Sequence, residues 1–142
     1  MVIGYTTGVF DLIHVGHVRR IQRAKSHCEY LIVGVSTDAC AATYKRQPII
    51  PFDQRVEIVQ SLKYVDRVVP QETLDKYAAW LVHQFNVLIV GDDAAQRQMA
   101  APFSDKLQCA GVRVVFEPPS EGVSTSDIIA RIIRLYRMVP QP

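Results

Sequence analysis

Cysteine is scarce and unpatterned in this sequence. There are three, Cys28, Cys40 and Cys109, odd in number, far apart and never in a Cys-x-x-Cys pair. That usage excludes a disulfide scaffold and a zinc knuckle, and leaves reduced, partly buried thiols as the expectation, as in cytosol. Charge of one sign is also lacking. The formal net charge is +2 and acidic and basic residues alternate along the chain. With no basic arm or acidic tail, nucleic-acid binding by bulk electrostatics has no support. No apolar run approaches the roughly 18 residues that span a bilayer. The N-terminal "MVIGYTTG" has no positive region leading into an apolar stretch. A cytoplasmic protein without membrane contact is expected. Internal repeats, low-complexity tracts and interior linkers are missing too, and only the final "VPQP" reads as frayed. At 142 residues the chain is about one domain's worth, so a single domain over residues 1–142 is expected.

What is present is an alternation. Short runs rich in β-branched residues, Val2-Thr6, Tyr30-Ser36, Val65-Val69, Val87-Val90 and Val112-Glu117, are separated by helix-like segments. These segments run from Gly16 to Cys28, Phe52 to Lys63, Thr73 to Phe85, Ala95 to Ala110 and Ser124 to Met138. Several strand runs are apolar on both faces, as strands buried in a parallel sheet must be. The pattern predicts an α/β fold: a Rossmann-like, doubly wound parallel sheet of about five strands in three layers, α/β/α. Ligands of such sheets sit beyond the carboxyl ends of the strands. Function is therefore sought just after each strand.

After the first strand come Gly8-Val9-Phe10-Asp11 and then His14-Val15-Gly16-His17 at the start of a helix. A glycine at a strand end lets backbone N–H groups approach a phosphate, and the helix offers its positive N-terminus to the same anion. Histidines three apart fall on one side of the helix, and Gly16 between them leaves room for a phosphate. This is a triphosphate-binding pattern without the glycine-lysine of a P-loop. A plain reading, polar residues at a helix start, stands beside it. A metal reading lacks a third ligand at recognisable spacing.

The stretch "GVFDLIHVGHVRRIQRAK" resembles the His-x-Gly-His signature of the nucleotidylyltransferase superfamily. "VGVSTD", "KRQPIIPFDQR", "YVDRVVP", "VGDD" and "EGVSTS" follow in the order found in its glycerol-3-phosphate cytidylyltransferase branch. The resemblance covers roughly Ile3 to Ile133. It implies attack of a substrate phosphate on the α-phosphorus of CTP, which releases pyrophosphate and leaves a CDP-alcohol. Such a reaction asks the protein for alignment and charge stabilisation.

By the same resemblance, His14 and His17 are donors to the phosphates, with their pKa near the ordinary ~6.5. Lys45 and Arg46 join them as catalytic cations. Gly8, Val9, Phe10, Asp11, Gly16, Gly91, Asp92, Asp93, Glu121, Gly122, Val123, Ser124 and Thr125 are nucleotide-binding residues, with amide donors at Val9 and Phe10. Lys45, Arg55 and Lys63 bind the acceptor. Asp11 is a candidate for helping to hold Mg²⁺, the implied cofactor. Gly-Asp-Asp favours CTP, although the pair also suits an ordinary turn. Ser124 or Thr125 can cap the last helix while its free N–H groups face phosphate. A homodimer is implied as well.

The chain departs from the related pattern in several places. Tyr44 and Lys45 stand where lysines at 44 and 46 are common, and Val9 replaces a threonine. Pro119 replaces an arginine, with Arg113 and Lys106 as candidate substitutes, and Ala94 replaces a tryptophan. Glycerol 3-phosphate is the favoured acceptor. Phosphocholine, phosphoethanolamine, a sugar phosphate or flavin mononucleotide are alternatives, as is a regulator that binds nucleotide without turnover. An amine acceptor would want an aromatic cage, and none is evident near the motifs. Trp80 reads as core or interface. Arg131, Arg134 and Arg137 read as a solvated helix face.

Overall fold

The central strand is β1 (Ile3–Gly8), and its position follows from pairing on both sides. In the computed structural model, which describes residues 1–138 and Pro140, β1 lies parallel to β2 (Tyr30–Ser36) on one side and to β4 (Val87–Gly91) on the other. Val139, Gln141 and Pro142, part of the end expected to fray, lie outside the described residues. β3 (Arg67–Gln71) pairs with β2 and β5 (Arg113–Glu117) with β4. The five parallel strands run in the order β3-β2-β1-β4-β5. The expected doubly wound sheet is observed.

Side chains alternate across the sheet with the strand period of two. Tyr5, Ile32, Leu88 and Val90 join Phe85, Ala100 and Leu107 in one core. The latter two come from α5 (Ala94–Cys109). Trp80 of α4 (Lys76–His83) packs against this core, as its scaffold reading required. Leu31, Val33, Val35, Val87 and Ile89 face the other way and meet Ile21 and Ala24 of α1 (Val15–Lys25) and Val59 of α3 (Phe52–Gln60). The helices before and after β1 in the strand order thus lie on opposite faces.

Two local differences have clear causes. β3 begins two residues later than its valines suggest, because Asp66 joins the chain to β2 first. Its N–H donates to the Leu31 carbonyl, and its carboxylate accepts from the Leu31 N–H at 2.7 Å. Pro70 is tolerated within β3 because the strand is at the sheet edge. A seven-residue helix, α2 (Asp38–Tyr44), was not expected. It is too short to show an apolar period, yet Thr37 caps it by accepting from the Cys40 N–H at 3.1 Å.

α6 (Thr125–Met138) is the last element, and residues 131–138 are exposed along it, the three arginines included. Cys28, Cys40 and Cys109 are all free; Cys109 is exposed rather than partly buried. Among the described residues no helix is long and apolar enough to cross a membrane.

Candidate active site

Where the strand order reverses, β1 and β4 hold together through only Gly4 with Val87 and Tyr5 with Leu88, whereas β1 and β2 pair along the whole of β1. Past that point the buried Thr6 hydroxyl donates to the Ile89 carbonyl at 2.9 Å, and the chains then diverge to opposite faces. The opening lies beyond the carboxyl ends of the strands, the expected place for a ligand in this topology. It holds two adjoining pockets, of about 90 and 230 Å³, which share His17, Arg20, Lys45 and Gln96.

The two histidines are oriented by the helix start they occupy. His14 is the N-cap of α1: its Nδ1 accepts from the Gly16 N–H at 3.1 Å. The His17 Nδ1 accepts from the His14 N–H at 3.2 Å. Both Nδ1 atoms are acceptors, so each neutral ring carries its proton on Nε2. Helix capping therefore fixes the tautomer that leaves Nε2–H as the donor. The rings lie 3.9 Å apart between centroids. Burial first, then the charges of His14, Arg20 and Lys45, push His17 down to about 3. Burial lowers His14 also. The expectation of pKa values near 6.5 is corrected: His17 is a neutral donor at physiological pH.

Gly16 has a different reason from the one expected. A Cβ at this position would lie 2.8 Å from His14 Cε1 and 2.9 Å from its Nδ1. The glycine makes room for the His14 ring, and thereby for the cap. The outer nitrogen of that ring meets Thr125, whose hydroxyl lies 3.3 Å from His14 Nε2 and donates to the Asp11 carbonyl at 3.1 Å. Ser124, not Thr125, caps the start of α6 by accepting from the Asp127 N–H at 3.0 Å. Thr125 instead ties the last helix to the first loop.

That first loop is strained, since Phe10 and Leu12 have φ of 56° and 49°. Two buried residues hold it. Asp11 accepts from the Ile49 and Ile50 N–H groups, both at 2.9 Å, and pairs with Arg46 at 2.9 Å. Burial alone would raise its carboxyl, but these partners outweigh it and hold the pKa below the usual range. Both Asp11 oxygens are thus engaged by protein groups, which does not fit the expected role as a Mg²⁺ ligand. Among the described residues no cluster of three or more His, Cys, Asp and Glu could hold a metal.

Arg55 is the second anchor and the second correction. Its guanidinium is fully buried, donating to the carbonyls of Ile50 (2.8 Å), Val9 (2.6 Å) and Ser36 (2.8 Å) and to the Asp38 carboxylate (2.6 Å). No part of it faces a ligand; it fixes the loop that does. Lys63 is corrected likewise. It is exposed, stands over the Tyr64 ring, and lies near the amino end of β3, at the edge of the sheet opposite the site.

The cations that do line the opening include two the motifs did not reveal. Arg20, one turn past His17 on α1, donates to the Thr7 carbonyl at 2.7 Å. Lys76, the first residue of α4, donates to the Thr7 hydroxyl at 2.8 Å. Burial, with the Arg20 charge, lowers Lys76 to about 8. Lys45 is lowered by burial and by Arg20 and Arg46. Cations that depress one another in this way make a pocket for a polyanion. The signal for Arg20 was its position, three residues beyond His17 on one helix face; Lys76 had none, because nothing in the sequence folds α4 back over β1.

Gly8, Val9, Phe10 and Asp11 line the smaller pocket; Gly16, Gly91, Asp92, Asp93, Val123 and Ser124 line the larger. Asp93 caps α5, accepting from the Gln96 N–H at 2.8 Å, and Asp92 pairs with Arg97. Glu121 and Gly122 are exposed and line neither pocket; Gly122, with φ of 75°, makes the turn into Val123. Neither Arg113 nor Lys106 stands in for the arginine replaced by Pro119. Arg113 starts β5 at the opposite sheet edge and Lys106 lies over Tyr77. Arg23 is the cation that reaches this segment, donating to the Pro118 carbonyl at 3.0 Å and to Ser120 at 3.2 Å beside Glu117.

Comparison with known proteins places these features in context. Residues 5–131 match the cytidylyltransferase-like family. The chain is 32% identical over 131 residues to a glycerol-3-phosphate cytidylyltransferase from Bacillus subtilis (strain 168), covering 92% of this chain and 96% of that protein. It is 32% identical over 133 residues to an ethanolamine-phosphate cytidylyltransferase from Mus musculus, covering 89% of this chain but only 31% of the mouse protein. Among solved structures, the lipopolysaccharide core biosynthesis protein from Thermoplasma volcanium GSS1 aligns with a TM-score of 0.72 at 26% identity, over 84% of this chain and 97% of that one.

Proposed function

The chain belongs to the cytidylyltransferase-like family, and on that premise we propose that it is a nucleotidyltransferase that moves CMP from CTP to a small phosphorylated alcohol, with glycerol 3-phosphate the first candidate. The observation that carries this reading is the wall of His17, Arg20 and Lys45 common to both pockets. A group transferred between two anions must meet donors that face both. CTP takes the larger pocket, between Gly91-Asp92-Asp93 and the 118–124 segment. The acceptor takes the smaller, beside Lys76 and Arg46.

An oxygen of the acceptor phosphate forms a bond to the α-phosphorus while the bond from that phosphorus to the bridging oxygen breaks. Pyrophosphate leaves with the electron pair. Negative charge spreads over the α-phosphoryl oxygens, where the Nε2–H of neutral His17 and the Lys45 ammonium donate to it. Lys76 and Arg46 hold the acceptor phosphate against the repulsion of the triphosphate. Amides of Val9 and Phe10 complete the phosphate contacts, while the His14 Nε2–H, which meets the Thr125 hydroxyl at 3.3 Å, reaches phosphate only by leaving Thr125. Magnesium enters as part of the substrate, Mg·CTP, carried by phosphate oxygens. We place the protein in the reducing cytoplasm, consistent with its free thiols, and propose a homodimer, with a mass in sedimentation of twice 16.0 kDa.

The test is pyrophosphate release from CTP and Mg²⁺ with a panel of phosphorylated alcohols. Glycerol 3-phosphate is expected to give pyrophosphate and CDP-glycerol, and ATP in place of CTP to give little. CTP binding without pyrophosphate from any acceptor would overturn the transferase reading in favour of a nucleotide-binding regulator.

A further inference from the structure

We propose that Tyr44, Ser36 and Gln71 form a hydrogen-bonded relay that selects an acceptor phosphate whose alcohol part carries a free hydroxyl and no cation. This rests on the transferase reading and concerns the acceptor end of the same site. Ser36 and Gln71 are buried at the carboxyl ends of β2 and β3, with 0% and 4% exposure, and Tyr44 ends α2 above them. The Ser36 hydroxyl donates to Gln71 Oε1 at 3.1 Å, so it must accept from the Tyr44 hydroxyl, 2.8 Å away. Burial keeps Tyr44 a neutral phenol.

The relay has a direction, and its two ends are left unmatched. The Tyr44 oxygen retains lone pairs, and the Gln71 amide nitrogen hydrogen-bonds to no protein group among the described residues. Both residues line the smaller pocket with Lys76 and Arg46. An alcohol hydroxyl satisfies both ends at once, donating to Tyr44 and accepting from Gln71. An ammonium cannot accept, and it would stand among Arg20, Lys45 and Lys76. The only carboxylate lining this pocket among the described residues is Asp11, already engaged by Arg46 and two backbone N–H groups. The Gln71 amide opens on the pocket, and a ligand that covers it without offering an acceptor leaves it cut off from water and unpaired, which makes discrimination stronger than simple shape would.

The experiment compares glycerol 3-phosphate, propyl phosphate and phosphoethanolamine as probes, by turnover with CTP and by calorimetric binding. Binding uses a CTP analogue with methylene in the α,β-bridge, so that affinity is read without chemistry. Wild type is expected to bind glycerol 3-phosphate roughly 10-fold or more tightly than propyl phosphate, the scale of one or two hydrogen bonds, and phosphoethanolamine least. Tyr44→Phe keeps the ring and removes only the hydroxyl. It is expected to raise the KM for glycerol 3-phosphate about 10-fold more than that for propyl phosphate. Gln71→Met should repeat that split. Equal binding of glycerol 3-phosphate and propyl phosphate, preference for phosphoethanolamine, or a Tyr44→Phe loss common to all three probes overturns the relay. Absence of pyrophosphate with every acceptor overturns the transferase reading instead, and the binding comparison still decides the relay.

Discussion

His17 is a donor because of what its other nitrogen does. With Nδ1 accepting from the His14 N–H, the proton sits on Nε2, and a ring whose pKa is pushed down to about 3 keeps that state throughout physiological pH. Removing the donor by His17→Ala is expected to lower kcat about 10²-fold. The pH profile of kcat/KM, which reports the free enzyme, is expected to show no ionisation between pH 6 and 8 that His17→Ala abolishes. An imidazolium donor would give one. The same shift has a sign for stability. The unfolded chain binds a proton at His17 below about 6.5, whereas the folded chain resists it until about 3. Its contribution is fully present above that upper value and is lost as pH falls between the two. Urea midpoints at pH 7 and pH 4.5 should differ less in His17→Asn than in wild type. Arg55 belongs at this scale as the opposite kind of residue. Arg55→Ala leaves three carbonyls and Asp38 without their partner, and a loss of ~3–5 kcal/mol is expected in denaturant unfolding. If Arg55 bound the acceptor directly, its loss would appear instead as a raised acceptor KM in a protein of normal stability.

Among the elements, α4 contributes most that the sequence hid. It brings Lys76 to Thr7 across the sheet edge, with the ammonium lowered to about 8 by burial. In a basic group lowered in this way the charge is lost as pH rises through that value. The kcat/KM for the acceptor is therefore expected to fall above about pH 8, and Lys76→Met to be slow and flat over the same range. An alkaline limb that survives in Lys76→Met would assign it to another group. This element also shows where sequence reading stops. β2 and β4 were legible because burial on both faces leaves continuous apolar runs, and α1 because His14 and His17 mark its start. The edge strand β3 was misplaced by two residues because its valines also serve the preceding loop. α2 was invisible at seven residues. At the site, motifs gave the residues on loops that follow β1, β4 and β5. They could not distinguish Arg55, which faces inward, from Lys45, which faces the pocket, because both are basic residues near the same loop. Orientation is a property of packing, and no spacing rule carried it.

For the molecule as a whole, the site lies across the weakest seam of the sheet. β1 and β4 are paired at two positions, against six between β1 and β2, so beyond that short ladder the β3-β2-β1 half and the β4-β5 half are joined by the Ile3–Asn86 and Thr6–Ile89 bonds, by the contacts of Arg23 and His27 with Glu117 and the segment after it, and by packing. A triphosphate reaching from His17 and Arg20 on one half to Gly91 and the 118–124 segment on the other spans that seam. Binding to the folded chain alone at 100 times Kd adds ~2.7 kcal/mol, which raises Tm by roughly 5–10 °C in a chain of this size. The seam makes a sharper expectation than the shift itself. Under native hydrogen exchange, CTP should slow exchange in β4 and β5 as well as in β1 and α1, because closing the opening couples both halves. Arg20→Met should lose most of this protection, since Arg20 lines both pockets. Lys76→Met should retain it, since Lys76 stands on the acceptor side. Protection confined to the β1 half would mean that CTP does not cross the seam, and would move the nucleotide out of the pocket beside Gly91.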